Sequence, residues 1–173
     1  MMYYERIFKT FQRRKLRYLI AGGMAVNLHG IPRFTKDVDI LIELSEKNLQ
    51  CLRAVIRDLG LKSRMPVPLD EFLNPENWKR WGQEKNLKAL SLYNPKTPYE
   101  EIDVLWNVGV SYKSAQEGRK TLKAGSLRLS LVSILDLIKM KKRAGRPQDL
   151  VDIESLRALQ RVSKKQPRRR PYA

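Results

Sequence analysis

The stretch AGGMAVNLHGIPRFTKDVDI, residues 21 to 40, decides the fold of this chain and the position of its chemistry. Two glycines precede a short helical pattern, and Asp37 and Asp39 then stand one residue apart in an apolar strand pattern. Residues i and i+2 of a strand project from the same face, so both carboxylates point into one volume. Like charges held so close repel each other unless cations bridge them or one carboxylate takes a proton. The spacing therefore indicates a function.

A magnesium site is the function that Asp37 and Asp39 favour, because hard cations prefer oxygen ligands and leave room for phosphate oxygens. The alternative is an exposed edge strand whose aspartates face water. Gly22 and Gly23 favour the metal, since they lie where a strand pattern ends and a helix pattern begins. Backbone N–H groups and the helix dipole attract an anion there, and glycine lets a phosphate approach the backbone. A phosphate-binding turn beside a carboxylate pair is typical of a nucleoside triphosphate site.

A third carboxylate, Asp103, lies in the strand pattern EEIDVLW. If this strand neighbours the strand of Asp37 and Asp39, Asp103 completes a three-carboxylate metal site. The alternative for Asp103 is a charge at a strand edge that faces solvent.

The hydrophobic patterns predict helices and strands without a regular β-α-β repeat, which favours an α+β fold with a small mixed sheet, flanking helices and C-terminal helices. Helices are predicted over residues 3–15, 22–29, 46–59, 134–144 and 147–162, and strands over 17–21, 37–44, 87–94, 100–108 and 126–131. Residues 62–82 are predicted as a long loop with one helical turn. Trp78 and Trp81 in that loop either stack on a base or pack against the body.

The chain has 173 residues, 42% of them hydrophobic, which predicts one folded domain over residues 1–162 and a basic, disordered tail over 163–173. The single cysteine, Cys51, excludes an internal disulfide framework and fits a reducing compartment. No apolar run approaches the roughly 20 residues of a membrane helix, and the N-terminal residues do not resemble a secretory signal. We therefore expect a cytoplasmic protein.

The net charge of +17 is concentrated at the two ends, with +5 on residues 1–17 and +6 on residues 161–173. Such a distribution favours attraction to a polyanion such as RNA, and the alternative is a solvated, solubilising tail. The candidate nucleic-acid contacts are Arg168, Arg169 and Arg170.

The run G-G-x-A-x-x-x-H-G-x-x-R-x-T-x-D-x-D, from Gly22 to Asp39, resembles the signature of the polymerase-β-like nucleotidyltransferase superfamily. More narrowly, it resembles small prokaryotic nucleotidyltransferase-domain proteins related to the toxins of abortive-infection and toxin–antitoxin systems. The segment DLIKMKKRAGRPQDLVDIESL, residues 136–156, is similar to the C-terminal motif of the same proteins. Together with Asp103, the resemblance spans roughly residues 18 to 156.

This resemblance implies transfer of a nucleoside monophosphate from an NTP to an acceptor hydroxyl, with two Mg²⁺ ions, or Mn²⁺, as cofactors. Gly22 and Gly23 match the phosphate-contacting turn, and Asp37 and Asp39 match the ligands of both metals. Asp103 matches the third carboxylate, which binds the catalytic metal and helps to activate the hydroxyl.

Lys141 matches the lysine of the C-terminal motif, which implies that it neutralises triphosphate charge. We expect its amine to lie free at the edge of the cleft, with Lys139 and Lys142 as competitors for the role. Arg33 and Thr35 either contact the triphosphate or merely lead into the strand.

Asp149 and Asp152 match the helix that follows the lysine, and we expect a partly structural role in which they pair with Arg143 or Arg146. His29, the single histidine, is expected to be a local hydrogen-bond partner and not a base. Catalysis is left to the carboxylates.

The basic composition makes RNA, for example the acceptor end of a tRNA, the leading acceptor, and a protein side-chain hydroxyl is the second. Two other classes stay open: an inactive nucleic-acid-binding member of the fold, and a metal-dependent nuclease, which does not need the Gly-Gly turn. A toxin-like role would imply a protein partner such as an antitoxin.

Overall fold

The computed structural model describes residues 3–65, 68–84 and 89–165. Its strands are Tyr18–Ile20 (β1), Val38–Ile42 (β2), Lys62–Ser63 (β3), Ala89–Asn94 (β4), Thr97–Leu105 (β5), Lys120–Ala124 (β6) and Leu127–Leu131 (β7). Its helices are Tyr3–Arg13 (α1), Gly22–Leu28 (α2), Glu46–Leu59 (α3), Leu69–Phe72 (α4), Pro75–Glu84 (α5), Tyr112–Glu117 (α6), Ile134–Ala144 (α7) and Pro147–Lys165 (α8).

The described strands form one mixed sheet in the order β3-β4-β5-β2-β1-β7-β6. Strands β2 and β5 are parallel, as are β1 and β7, and the other neighbours are antiparallel. The predicted α+β class, with a mixed sheet and C-terminal helices, is confirmed. The parallel pairing of β2 with β5 matters most, because it sets Asp39 opposite Asp103.

Local signals in the sequence explain where helices α3 and α7 begin and end. The Ser45 side chain accepts from the backbone N–H of Asn48 at the start of α3, and Ser133 accepts from Asp136 at the start of α7. Gly60 and Gly145 end these helices with φ of 65° and 67°. Gly145 therefore lets α7 turn back into α8, and the two helices pack against each other.

The prediction of a long loop over residues 62–82 is wrong, because β3, α4 and α5 lie there. Proline suggested a loop, yet Pro75 occupies the first position of α5, where its missing N–H costs nothing. Trp78 is 1% exposed and its ring centroid lies 4.8 Å from that of Trp106, while Trp81 is also buried. Packing against the body is confirmed for both tryptophans, which leaves no face for stacking on a base.

Two further short elements were not predicted, namely α6 and the polar edge strand β6. The predicted turn over residues 95–99 is shorter than expected, because β5 already begins at Thr97. Helix α8 runs to Lys165, three residues into the predicted tail. The candidate contacts Arg168, Arg169 and Arg170 lie outside the described residues. Within the described ranges, no helix has the length and apolar character needed to cross a membrane.

Candidate active site

In the turn from β1 into α2, two glycines are in close contact with side chains from the following segment. Gly22 has φ of 56°, and a Cβ atom on it would overlap the Asp39 carboxylate. A Cβ atom on Gly23 would overlap Nη1 of Arg33, and the backbone N–H of Gly23 donates to the Asp39 carboxylate. Both glycines are therefore needed, because side chains of the site lie directly against the backbone.

Asp39 and Asp103 occupy matching positions of the parallel strands β2 and β5. Burial and the charge of Asp103 raise the pKa of Asp39 to about 6, and Asp37 adds to the rise. The positive charge of Arg146 and the hydrogen bond from Gly23 oppose it. The sequence analysis required the strand of Asp103 to neighbour the strand of Asp37 and Asp39, and the pairing of β2 with β5 meets this condition.

The neighbouring strand β4 orients the third carboxylate. Ser91 lies opposite Asp103, and its hydroxyl donates to Oδ1 of Asp103 at 2.6 Å. Burial raises the pKa of Asp103, and Ser91 opposes the rise by bonding to the charged form. Ser91 was missed from the sequence, since its role depends on the register of β4 and β5.

Asp37, two residues before Asp39, has a carboxylate oxygen without a hydrogen-bond partner among the described residues. This atom, Oδ1, is buried. Burial raises the pKa of Asp37, because no neighbour fully compensates the charge. An orphaned carboxylate oxygen of this kind is what a cation would satisfy.

The three carboxylates fit Mg²⁺ by chemistry but do not form a closed cage. Throughout residues 3–65, 68–84 and 89–165, no three acidic, histidine or cysteine side chains converge closely enough to hold a metal by themselves. Mg²⁺ is commonly bound by one or two carboxylates, with water and substrate phosphates filling its other positions. Asp37, Asp39 and Asp103 supply such an open, oxygen-only set.

The segment before β2 is held by side chains from α1 and α2. Asn27 bonds to both the backbone N–H and the carbonyl of Arg33, each at 2.6 Å. The Tyr4 hydroxyl donates to the carbonyl of Thr35 at 3.2 Å. The side chains of Arg33 and Thr35 both lie beside Gly23, so the structure brings these two candidates to the Gly-Gly turn.

Lys141 lies in the wall of a cavity of about 330 Å³ beside Asp39 and Asp103. The expectation that its amine is free is wrong, because Nζ lies 3.1 Å from Asp149 Oδ1 and 2.5 Å from Asp152 Oδ2. The prediction that the aliphatic part of the Lys141 side chain is packed is confirmed, since the residue is buried. The partners could not be foreseen, because they come from α8 after the turn at Gly145.

Arg146 is the residue of this cavity that was missed as a site residue. Its Nε donates to Asp149 Oδ2 at 2.9 Å, which confirms the expected pairing of Asp149 with Arg146. Asp152 instead contacts Lys141 and Arg33, not Arg143. The cavity is lined by Gly22, Asp39, Ala89, Asp103, Leu105, Val108, Leu137, Met140, Lys141, Ala144, Arg146 and Asp149.

His29 lies away from the carboxylates, buried at the end of α2. Its Nε2 is 2.9 Å from the carbonyl of Val132, and burial lowers the pKa of the imidazole. The predicted role of hydrogen-bond partner is confirmed, although the partner is distant in sequence and not local.

A larger open groove, of about 790 Å³, begins where the cavity ends. The two share Leu105, and the groove continues past the carboxyl ends of β2 and β5. Its wall includes the ion pair of Arg17 and Glu43, at 2.7 Å, and the ring of Tyr112. The groove therefore meets the carboxylate-lined cavity at Leu105, two residues after Asp103.

Comparisons with known proteins establish the fold. No protein-family model matches the chain, and no curated protein matches it in sequence. The lincosamide antibiotic adenylyltransferase LnuA, bound to lincomycin, aligns with a TM-score of 0.58 at 15% identity, over 91% of this chain and 96% of LnuA. ANT(2")-Ia in complex with adenylyl-2"-tobramycin aligns at 0.51 and 14% identity, over 93% of this chain and 94% of that one.

A third solved structure, TM1012 from Thermotoga maritima, has been described as a nucleotidyltransferase. It aligns with a TM-score of 0.52 at 12% identity, over 94% of this chain and 91% of that one. At such low identity the likeness concerns the fold alone. The chain has the fold of these nucleotidyltransferases over almost its whole length.

Proposed function

We propose that this chain is a Mg²⁺-dependent nucleotidyltransferase that moves a nucleoside monophosphate from an NTP to an acceptor hydroxyl, with RNA as the acceptor. The observation that carries the proposal is the position of Asp39 and Asp103 on adjacent strands, directly against the Gly22–Gly23 turn. Carboxylates that repel each other need a cation between them, and a cation beside a glycine turn suits a metal-bound triphosphate. The fold likeness to nucleotidyltransferases supports the reaction class.

In the proposed reaction, a bond forms between the acceptor oxygen and the α-phosphorus, and the bond from that phosphorus to the bridging oxygen breaks. Pyrophosphate leaves, and Asp103 accepts the proton of the hydroxyl. Mg²⁺ held by Asp37, Asp39 and Asp103 would acidify the hydroxyl and neutralise the leaving group. Ser91 keeps the Asp103 carboxylate oriented, and the Gly23 N–H does the same for Asp39.

Phe34 supports RNA as the acceptor, together with the charge of +17. Its side chain is 90% exposed although both neighbours are held, Arg33 by Asn27 and Thr35 by Tyr4. Since Arg33 and Thr35 turn inward to Gly23, the extended chain turns Phe34 outward. An exposed ring on a backbone that is held at both neighbouring residues can stack on an unpaired base. A toxin-like role with an antitoxin partner belongs to the same proposal and follows from the sequence resemblance.

The test incubates the purified chain with each α-labelled NTP, Mg²⁺ and total RNA. Label that enters RNA, and is lost in Asp39→Asn, supports the proposal. Label on protein indicates side-chain modification, and shortened RNA without label indicates a nuclease. RNA binding without any transfer would assign the chain to the inactive, nucleic-acid-binding class.

A small polyhydroxylated molecule is a further candidate acceptor, favoured by the 790 Å³ groove that meets the carboxylate-lined cavity at Leu105. LnuA, a lincosamide antibiotic adenylyltransferase with lincomycin bound, and ANT(2")-Ia, with adenylyl-2"-tobramycin bound, match almost the full length of the chain. Lincomycin and tobramycin are therefore suitable probes in the labelled-NTP reaction. Labelled antibiotic in the absence of labelled RNA would select this acceptor class.

A further inference from the structure

Lys141 is the centre of a branched network of buried charges. Only 4% of the residue is exposed, and its ammonium group lies between the carboxylates of Asp149 and Asp152. Both aspartates are themselves buried, so the ammonium cannot leave without abandoning two buried negative charges. A lysine held in this way is poorly placed to bind a substrate that comes and goes.

Each aspartate also holds an arginine. Asp149 Oδ2 accepts from Nε of Arg146 at 2.9 Å and from the backbone N–H of Arg146 at 3.2 Å. Asp152 Oδ2 lies 3.1 Å from Nε of Arg33, an ion pair that lacks hydrogen-bond geometry. The two arms of the network therefore run from Lys141 through Asp149 to Arg146, and from Lys141 through Asp152 to Arg33.

Both arms end at the proposed triphosphate site. The guanidinium of Arg33 lies against Gly23, and Arg146 lines the same cavity as Gly22, Asp39 and Asp103. The Arg146 side chain is 74% exposed, and within the described part of the chain its side-chain hydrogen bond comes from Nε and none comes from Nη. An arginine anchored by Nε with its other donors unused is suited to bidentate binding of phosphate.

We infer that Arg146, together with Arg33, binds the triphosphate, and that Lys141 is a positioning residue that holds both arginines through Asp149 and Asp152. This inference rests on the proposed nucleotidyltransferase activity and reassigns the role that the motif suggested for Lys141. Three cations and two anions leave the network with a net charge of +1, which favours an anionic ligand next to the metal carboxylates.

The test measures binding of inorganic tripolyphosphate in Mg²⁺ by calorimetry, because this probe does not depend on the identity of the base. Arg146→Ala is expected to weaken binding about ten- to a hundredfold, the usual effect of losing hydrogen bonds to a charged group. Arg146→Lys restores only part of the affinity, since an ammonium cannot bind two oxygens in a plane. Lys142→Ala, which removes an exposed cation of α7 four residues before Arg146, is the matched control and leaves binding unchanged.

A double-mutant cycle tests the positioning role. Lys141→Met lowers tripolyphosphate affinity in the wild-type background but produces no further loss when Arg33 and Arg146 are both alanine. Additive losses would mean that Lys141 contacts the phosphate itself, which overturns the positioning role. If Lys141→Met does not fold, Asp149→Asn releases the Arg146 arm alone, and unchanged affinity in that variant overturns it equally.

The outcomes separate this inference from the proposed function. If the wild type transfers labelled nucleotide while Arg146→Ala binds tripolyphosphate as well as Lys142→Ala does, the inference is wrong and the activity stands. If the wild type binds tripolyphosphate through Arg146 but transfers no label to any acceptor, the activity is wrong and the anion site stands.

Discussion

Asp39 and Asp103 face each other across the parallel strands β2 and β5, and each raises the electrostatic cost of ionising the site. Asp39 also touches the backbone of Gly22, which has no side chain in the way. The arrangement therefore lowers the stability of the metal-free protein, because it keeps the carboxylates close together against the Gly22–Gly23 turn.

Replacing Asp39 with asparagine is expected to abolish nucleotide transfer and to stabilise the metal-free protein at pH 7. The pKa of Asp39 rises from an ordinary value of 3.8 to about 6, so ionisation in the folded state costs on the order of 2 to 3 kcal/mol. Chemical denaturation in EDTA measures the gain. A variant that is much less stable than the wild type would show that the carboxylate is structural.

Asp58→Asn is the control, for which the expected change in stability has the opposite sign. Hydrogen bonds from Arg14 and Arg13 lower the pKa of Asp58 to about 2, so its charged form stabilises the fold. Loss of that charge should reduce stability at pH 7 and leave transfer unaffected.

The raised pKa of Asp39 predicts how stability and metal affinity depend on pH. The folded state holds the proton more tightly than the unfolded state, so this group lowers stability as pH rises from about 4 to about 6, with no further loss above that. Mg²⁺ needs the ionised carboxylate, so its affinity should fall as pH drops below about 6. Titration calorimetry at pH 5, 6 and 7 measures this, and in Asp39→Asn the dependence should weaken.

Gly22→Ala is expected to eliminate transfer, whereas Gly60→Ala should retain it. Both glycines have positive φ, 56° and 65°, so alanine strains the backbone by about 1 to 2 kcal/mol in each. Only Gly22 faces a neighbour, since a Cβ atom there overlaps Asp39 while Gly60 has nothing within 4 Å. Equal activity in two variants of equal stability would mean that the approach of Asp39 to the turn is unimportant.

Phe34→Ala is expected to weaken binding of single-stranded RNA about five- to a hundredfold, the effect of losing one stacked base. Phe34→Trp should keep the affinity, and Leu135→Ala, also exposed, serves as the control. Fluorescence anisotropy with labelled RNA measures binding, and tripolyphosphate binding should not change. An RNA affinity that is insensitive to Phe34→Ala contradicts the stacking role.

Removal of residues 166–173 deletes Arg168, Arg169 and Arg170 and ends the chain just after α8. RNA affinity should fall, and the slope of log affinity against log salt should become shallower by about 0.7 for each lost phosphate contact. The rate of transfer at saturating RNA should stay the same. An unchanged slope would identify the tail as a solvated end.

Much of the site was predictable because its signals are local. The order of a Gly-Gly turn, a short helix and two aspartates in one strand follows from chain geometry over about 20 residues. The caps at Ser45 and Ser133 likewise depend on neighbours three residues away. Local periodicity also separates inward from outward positions, which is why Lys141 was expected to have a packed stem.

Contacts between residues that are distant in the sequence could be known only from the tertiary structure. Asp103 lies opposite Asp39, and Ser91 lies opposite Asp103, because of the register of β4, β5 and β2. Some 60 residues separate Asp39 from Asp103 in the sequence, so local patterns do not encode this register. Lys141 is buried and the Arg146 side chain exposed for the same reason: the turn at Gly145 places Asp149 and Asp152 against the lysine ammonium and leaves the arginine at the surface. The sequence by itself determined which charges the site contains. Packing of α8 against α7 decided which of those charges is buried and which can reach a ligand, because burial depends on surfaces that meet only in the folded chain.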